Sequence, residues 1–308
     1  MELFARVIHD FSELPCMGSW DEAKALFQHA ASRRPDHWLT PVKACEAAGG
    51  TQEKAVPAML AVGCAHVGIL LIDDMLDDDP RGDYHRIGMP AASNLACAFQ
   101  AAALHAISQF SQEPSAKLAA MSSFNEMFLI TAFGQYLDVQ SPKDEFTYWQ
   151  VAKTKSSSFF GAALQIGAFA GGGKPEASEL LKKLGCLYGE MIQIHDDMHD
   201  SMETPANPDW VQGRSPLPIL FASLVRYPEQ ARFLELKEHI TESGTLQEAQ
   251  EILIRCGAIS YCADQIIKKH KTAKRLLDKI PLVHDEPLSS LLDQIIAPIH
   301  TLLEACDA

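Results

Sequence analysis

The chain has 308 residues, with 26 Lys and Arg against 40 Asp and Glu, a formal net charge of −14, and 47% of its residues are hydrophobic. That excess of acid argues against a nucleic-acid binder or a polybasic membrane-surface binder, since both need a cationic face. Length and apolar content together suit a globular chain with a sizeable core.

In chain order, the opening MELFARVIHDFSEL carries acids and bases in its first turns and no continuous apolar stretch, so it does not read as a signal peptide. Helices are expected near 20–32 and 37–48. The next, near 55–78, holds the uncharged run Ala55–Ile72, at the lower limit for a bilayer span. Pro57, Gly63, His66 and Gly68 interrupt it, and Asp73-Asp74 follow at once, so a buried bundle helix is expected and no membrane span. Further helices are expected near 90–110, 115–140, 145–170, 175–201, 215–226, 229–240, 246–280 (with a break near Gly257) and 287–305. The uncharged stretches Ile87–Gln112 and Ser156–Gly173 predict helices ringed by other helices. Gly171-Gly172-Gly173 before Pro175 reads as a helix stop and restart. It is not a phosphate loop, because no strand precedes it and no Lys-Ser/Thr follows. Residues 1–308 are therefore expected to form one all-α domain. The cysteines are scattered through mostly apolar stretches with no His spaced to complete a zinc site, and are expected to be reduced core thiols of a cytoplasmic protein.

The chemistry is concentrated in two places. Asp73-Asp74-Met-Leu-Asp77 and Asp196-Asp197-Met-His-Asp200 both have the form DDxxD at the end of a long apolar helix. On a helix, residues i and i+4 share a face, so Asp73 projects with Asp77 and Asp196 with Asp200. Like charges placed together are a cost unless a cation lies between them. Hard carboxylate oxygens without thiolate suit Mg²⁺, which keeps several waters and bridges to phosphates. One such cluster would read equally well as a solvated helix end, but two of identical spacing would not. Residues 73–83 hold six acids and one Arg, and 190–209 hold six acids and no Lys or Arg, so most of the net charge is in these two stretches. His195 and His199 have the HxxxH spacing of a helical zinc site, an alternative that leaves the first cluster unexplained. Two acidic jaws with Mg²⁺ between them, above apolar helix faces, could ionise an allylic diphosphate whose tail lies between the helices.

With these motifs the sequence resembles the trans-isoprenyl diphosphate synthases (polyprenyl synthetases) over about residues 30–225. The resemblance implies an all-α isoprenoid-synthase bundle with a central apolar cavity, a homodimer, and Mg²⁺ as cofactor, three ions once substrate is bound. It assigns Asp73, Asp74, Asp77, Asp196, Asp197 and Asp200 to the metal. His66 stands seven residues before Asp73, where the family has a His. Gly134-Gln135-Tyr-Leu-Asp138 resembles its GQxxD helix, Lys155-Ser156 its Lys-Thr pair, and Gln193 opens its second motif. Lys155, Ser156, Gln193 and Asp138 are thereby implied in catalysis, and Gln135 and His66 in substrate binding. Arg214 is similar to the Lys of the family's GKxTLP segment, and Arg86 keeps the position that contacts the allylic diphosphate. The cation motif that binds isopentenyl diphosphate is altered. Arg33 stands for its Lys, Asp36 for its Arg unless a shift brings in Arg34, and Ile87 replaces a second Arg. Losing such contacts weakens acceptor binding by roughly 2–5 kcal/mol.

An intact donor side and a weakened acceptor side favour a terpene-synthase-like enzyme that releases diphosphate without elongation. The alternative is a prenyltransferase that condenses isopentenyl diphosphate with an allylic diphosphate. A non-catalytic partner subunit is disfavoured because both Asp motifs are complete. Ile69 and Ala65 lie one and two turns before Asp73, roughly 6 and 12 Å below it, and neither is aromatic, so tails of about C15–C20 are expected. Phe128 or Phe133 could supply a floor.

Overall fold

A computed structural model describes residues 2–307. Met1, Ala308 and the side chains of Leu303, Ala305, Cys306 and Asp307 lie outside the described residues. The chain is all helix, and no strand occurs among the described residues. The helices are α1 (Leu3–Ser12), α2 (Asp21–Ser32), α3 (Thr40–Ala47), α4 (Gln52–Asp77), α5 (Tyr84–Ile87), α6 (Met89–Ser108), α7 (Pro114–Asp138) and α8 (Glu145–Lys155). They continue with α9 (Ser157–Ala170), α10 (Pro175–Met202), α11 (Pro208–Val211), α12 (Leu217–Leu224), α13 (Gln230–Glu238), α14 (Thr245–Arg255), α15 (Ala258–Leu277) and α16 (Glu286–Asp307).

The short helices α5 and α11 were not expected, and three further differences stand out. Helix α1 was not expected; it forms because Phe4, Val7 and Phe11 share one face and bury it, Phe11 stacking on Phe27 of α2 at 4.1 Å. The expected helix 145–170 is two helices, interrupted at Ser156. There the hydroxyls of Ser157 and Ser158 donate to the carbonyls of Ala152 (3.1 Å) and Thr154 (2.7 Å), taking acceptors that α8 would otherwise offer to amides. The expected 37–48 helix begins as a 3₁₀ turn over Asp36–Leu39. The break near Gly257 is present, with φ +84°.

Helix α9 lies at the centre: all its residues are buried, against α10, α3, α7 and α4. Helix α4 is long and apolar enough to cross a bilayer, yet it is mostly enclosed by α6, α3, α1, α9 and α2 and is a core helix. Helix α6 departs from the expectation that uncharged helices are ringed. Ala92, Leu95, Ala96 and Phe99 face α4, while Ala91, Asn94, Cys97 and Ala101 are exposed. Leu118, Leu129, Phe133 and Tyr136 of the neighbouring α7 are exposed as well. A second, smaller core is gathered by α11 to α14 around Trp210, Phe233, Leu236 and Ile252. Cys45, Cys64 and Cys262 are core thiols as expected, whereas Cys16 and Cys97 are exposed.

Candidate active site

The C-terminal end of α4 and the last turns of α10 face one cavity of about 350 Å³. All six expected metal ligands line it, together with Asp138, Lys155, Ser156, Gln193 and Arg214. Five segments far apart in sequence thus bring eleven of the expected residues to one place.

Local geometry explains how. Helix α4 stops at Asp78, which takes the left-handed conformation (φ +48°) and accepts the hydroxyl of Tyr84 at 2.8 Å. Asp79 receives the Arg81 guanidinium at 2.9 Å and its backbone N–H at 2.8 Å. The final two acids of the run Asp73–Asp79 therefore build the turn, and the DDxxD triplet points at the cavity. Gly134 is where α7 crosses the end of α8. A Cβ there would come within 2.4 Å of the Lys155 backbone nitrogen, so only glycine allows the crossing. One turn further on, Asp138 reaches Lys155 Nζ at 2.6 Å, and the same Nζ holds Asp73 at 2.9 Å. Gln135 donates to the carbonyl of Ile69 at 3.3 Å, tying α7 to α4. It lies beside the cavity and does not line it.

The opposite jaw is built differently. Asp197 is buried and accepts from Tyr148 Oη (2.7 Å), Leu217 N (2.8 Å) and Gln193 Nε2 (2.8 Å), and Ser156 hydrogen-bonds Gln193 in turn. Leu217 opens α12, so this carboxylate also caps a helix N-terminus. Asp196 and Asp200 have no Lys or Arg at ion-pair distance among the described residues. Across the mouth, Arg214 Nη1 binds Asp77 at 2.7 Å, and Gln212 Nε2 donates to the Asp77 carbonyl at 2.7 Å.

The electrostatics follow from this packing. Burial, then Asp79 and Asp73, pushes Asp74 up to about 7. Burial raises Asp197 to about 7 against its three donors, and Asp196 to about 6 with help from Asp200. Burial alone would depress Lys155, but Asp73 and Asp138 outweigh it and hold the ammonium charged. The cavity lining contains neither thiolate nor imidazole among the described residues, so its donor chemistry fits a hard cation such as Mg²⁺. No three His, Cys, Asp or Glu side chains among the described residues are already gathered around one point. Lys155 and Arg214 hold Asp73 and Asp77, and the donors of α8 and α12 hold Asp197.

A smaller cavity of about 100 Å³ adjoins this one, with Leu70 and Asp74 in both walls. Arg33, His29 and His66 line it, together with Asp74 and Asp83. His66 Nδ1 accepts from Trp38 Nε1 at 3.2 Å, and the His37 ring packs edge-on to it at 4.3 Å. Burial pushes His66 down to about 3, with His37 adding to it, and His37 down to about 4.

Several expected residues are placed elsewhere. Arg34 adopts φ +50°, pairs with Glu2 and covers the Phe4 ring at 5.3 Å, so it faces away from the second cavity. Arg86 is paired with Asp83 at 2.9 Å, with 58% of its side chain exposed, and lines neither cavity. Ala65 is fully buried and Ile69 is packed against the core, so neither lines these cavities. Phe133 is 55% exposed and stacks on Tyr136, which removes it as a floor; Phe128 is buried, edge-on to Phe124. His195 gives its Nε2 to the carbonyl of Ile295 on α16 at 2.8 Å, and neither it nor His199 reaches the cavity, so the zinc alternative falls. Tyr148, Arg81, Asn207 and Asp209 line the cavity without having been expected there. Asp209 stood in a segment already singled out, but Tyr148 carried no sequence signal.

The sequence profile of the polyprenyl synthetase family matches residues 24–253. The chain is 27% identical over 277 residues to the geranylgeranyl diphosphate synthase of Methanosarcina mazei, covering 82% of this chain and 81% of that one. It is 29% identical over 258 residues to the short chain isoprenyl diphosphate synthase of Methanothermobacter thermautotrophicus, covering 76% of each. Among solved structures, a polyprenyl synthase from Caulobacter crescentus, complexed with calcium and isoprenyl diphosphate, superposes with a TM-score of 0.80 at 23% identity, over 95% of this chain and 93% of that one. The geranylgeranyl pyrophosphate synthetase of Pyrococcus horikoshii gives 0.79 at 21% identity, over 96% and 98%. At these identities the structural likeness establishes the fold.

Proposed function

The chain belongs to the polyprenyl synthetase family and is an isoprenoid synthase; from that premise we propose that it is a prenyltransferase condensing an allylic diphosphate with isopentenyl diphosphate. The observation that carries this reading is the pair of DDxxD triplets facing one cavity, with Lys155 and Arg214 between them. The names of the relatives from Methanosarcina mazei and Methanothermobacter thermautotrophicus support condensation over the cyclase reading suggested by the altered acceptor motif. Asp73, Asp74 and Asp77, with Asp196 and Asp200, would hold Mg²⁺, while Asp197 orients α10 against α8 and α12. When bound, Mg²⁺ would neutralise the diphosphate and favour its departure.

Lys155 and Arg214 then exchange their carboxylate partners for diphosphate oxygens, as charge-assisted donors. Arg33 and His66 hold the acceptor in the adjoining cavity. The expected substrate length of about C15–C20 loses its basis, because Ile69 and Ala65 do not line the cavity, and it is left to the assay below. We further propose a cytoplasmic homodimer of single-domain subunits, joined through the outer faces of α6 and α7. Those faces expose Leu118, Leu129, Phe133 and Tyr136, an apolar patch of the kind that marks an interface. Light scattering should then give twice the chain mass.

The direct test supplies purified protein and Mg²⁺ with geranyl, farnesyl or geranylgeranyl diphosphate, with and without isopentenyl diphosphate. A longer diphosphate made only with acceptor is expected. Hydrocarbon or alcohol formed at the same rate without acceptor would overturn the reading in favour of a cyclase.

A further inference from the structure

Trp38 is fully buried, on the 3₁₀ turn that follows Arg33 and Arg34. Its indole is wedged between Phe27 (ring centroids 5.1 Å apart) and Gly63 of α4, where a Cβ would stand only 3.0 Å from the ring. Gly63 is three residues before His66, so the space it leaves admits the indole one turn below the imidazole. The result is the hydrogen bond from Trp38 Nε1 to His66 Nδ1. An indole N–H can only donate, so Nδ1 of His66 must present a lone pair. In a neutral imidazole the proton then belongs to Nε2.

His66 lines the second cavity, and its Nε2 has no protein partner among the described residues. The alternatives are disfavoured by the same surroundings. A doubly protonated ring would set two N–H donors against each other at 3.2 Å, and it would place a buried charge beside the His37 ring. We propose that Trp38 is a positioning residue that fixes His66 as the Nε2–H tautomer and so presents a neutral donor to the second cavity. The role of that donor, holding a diphosphate oxygen of the acceptor, rests on the prenyltransferase reading above. Arg33 is then the permanent cation in this cavity, with Asp74 and Asp83 in the same lining, and the neutral N–H matters more than it would in a cation-rich site.

The test separates the tautomer from the function. Long-range proton–nitrogen NMR on the protein labelled at histidine, with His66 assigned by loss of its signals in H66Q, should show Nε2 protonated and Nδ1 bare at neutral pH. Trp38→benzothienylalanine, in which sulfur replaces the N–H within the same ring outline, should release the tautomer. It should raise KM for isopentenyl diphosphate about tenfold, the loss of one well-placed donor, and leave kcat and the allylic KM within about twofold. W38F makes the same change with a smaller ring, should the isostere fold poorly. A His66 protonated at Nδ1 in the unaltered protein overturns the proposal, and so does an isostere variant with unchanged tautomer and unchanged acceptor KM. If the Nε2–H form is found but isopentenyl diphosphate is never consumed, the tautomer assignment stands and the function proposed for the chain is what fails.

Discussion

The two aspartate triplets have the same spelling and opposite surroundings. At the end of α4, Asp73 and Asp77 are held by the protein's own cations, Lys155 at 2.9 Å and Arg214 at 2.7 Å. On α10, Asp196 and Asp200 have no such partner among the described residues, while Asp197 between them is buried under three neutral donors. In the first jaw two of the three carboxylates have a cation partner and Asp74 alone is pushed up to about 7, by burial and by the acids around it. In the second jaw no carboxylate has one among the described residues, and Asp196 is raised to about 6 and Asp197 to about 7 chiefly by burial. Identical motifs therefore start from different electrostatic states, and the second should depend more on an arriving cation.

That contrast can be broken by substitution. The largest effect is expected at Asp197: D197A strands the donors of Tyr148, Leu217 and Gln193 and should cost roughly 2–4 kcal/mol in urea unfolding, with activity lost as well. D196N and D200N should reduce turnover at least about a hundredfold while leaving stability unchanged or slightly raised, because they relieve repulsion. Equal destabilisation by all three would show that the second triplet is not divided in this way.

Next in size is R214Q. It removes a donor to the diphosphate, so kcat should fall roughly ten- to hundredfold. It also frees Asp77, so the substrate-free protein should bind Mg²⁺ more tightly by calorimetry. Weaker Mg²⁺ binding in R214Q would mean that the arginine supports the metal site and does not compete with it.

The third prediction is a pH dependence. Asp74, Asp196 and Asp197 titrate in the folded chain at about 7, 6 and 7, against 3.8 for an ordinary aspartate. Between those values the folded chain binds more protons than the unfolded one, so stability falls as pH rises through that window. Metal-stripped protein should therefore melt at a higher temperature at pH 5 than at pH 7.5, and Mg²⁺ should restore the loss at pH 7.5. A melting temperature that climbs with pH in the absence of metal would remove the basis for these raised carboxylates. The smallest effect is Y148F, about 1 kcal/mol, with Asp197 pushed further up because one hydrogen bond to its charged form is gone.

Much of the site was legible because its signals are local. The DDxxD spacing is a pattern of neighbours on one helix, and the family resemblance picked out Gly134 four residues before Asp138 and the Lys155-Ser156 pair. The long helices and the central placement of α9 followed from uncharged runs, while α1 and the short helices α5 and α11 did not. What failed to show was long-range. Arg34 is drawn to Glu2 and Phe4 of α1, a helix the sequence reading did not anticipate. Arg86 is spent on Asp83 three residues away, an ordinary surface pair. The division of labour within the second triplet depends on Tyr148 and on the start of α12, neither of which is near Asp197 in sequence. The exposed face of α6 was missed for a related reason: lack of charge says that a face will be covered, not that its own chain will cover it.

The interruption at Ser156 has a consequence beyond geometry. A helix running unbroken from Glu145 to Ala170 would pass this point with its peptide dipoles cancelling head to tail. Broken there, α8 ends beside the cavity, which Val151, Ala152, Lys155 and Ser156 line. A helix terminus carries about half an elementary charge, negative at this end. The serine hydroxyls that patch its carbonyls redistribute that charge without removing it. The break therefore sets the negative end of α8 beside the positive start of α9, so the two partial charges largely offset each other and what the break leaves at the cavity is a dipole and not a net charge.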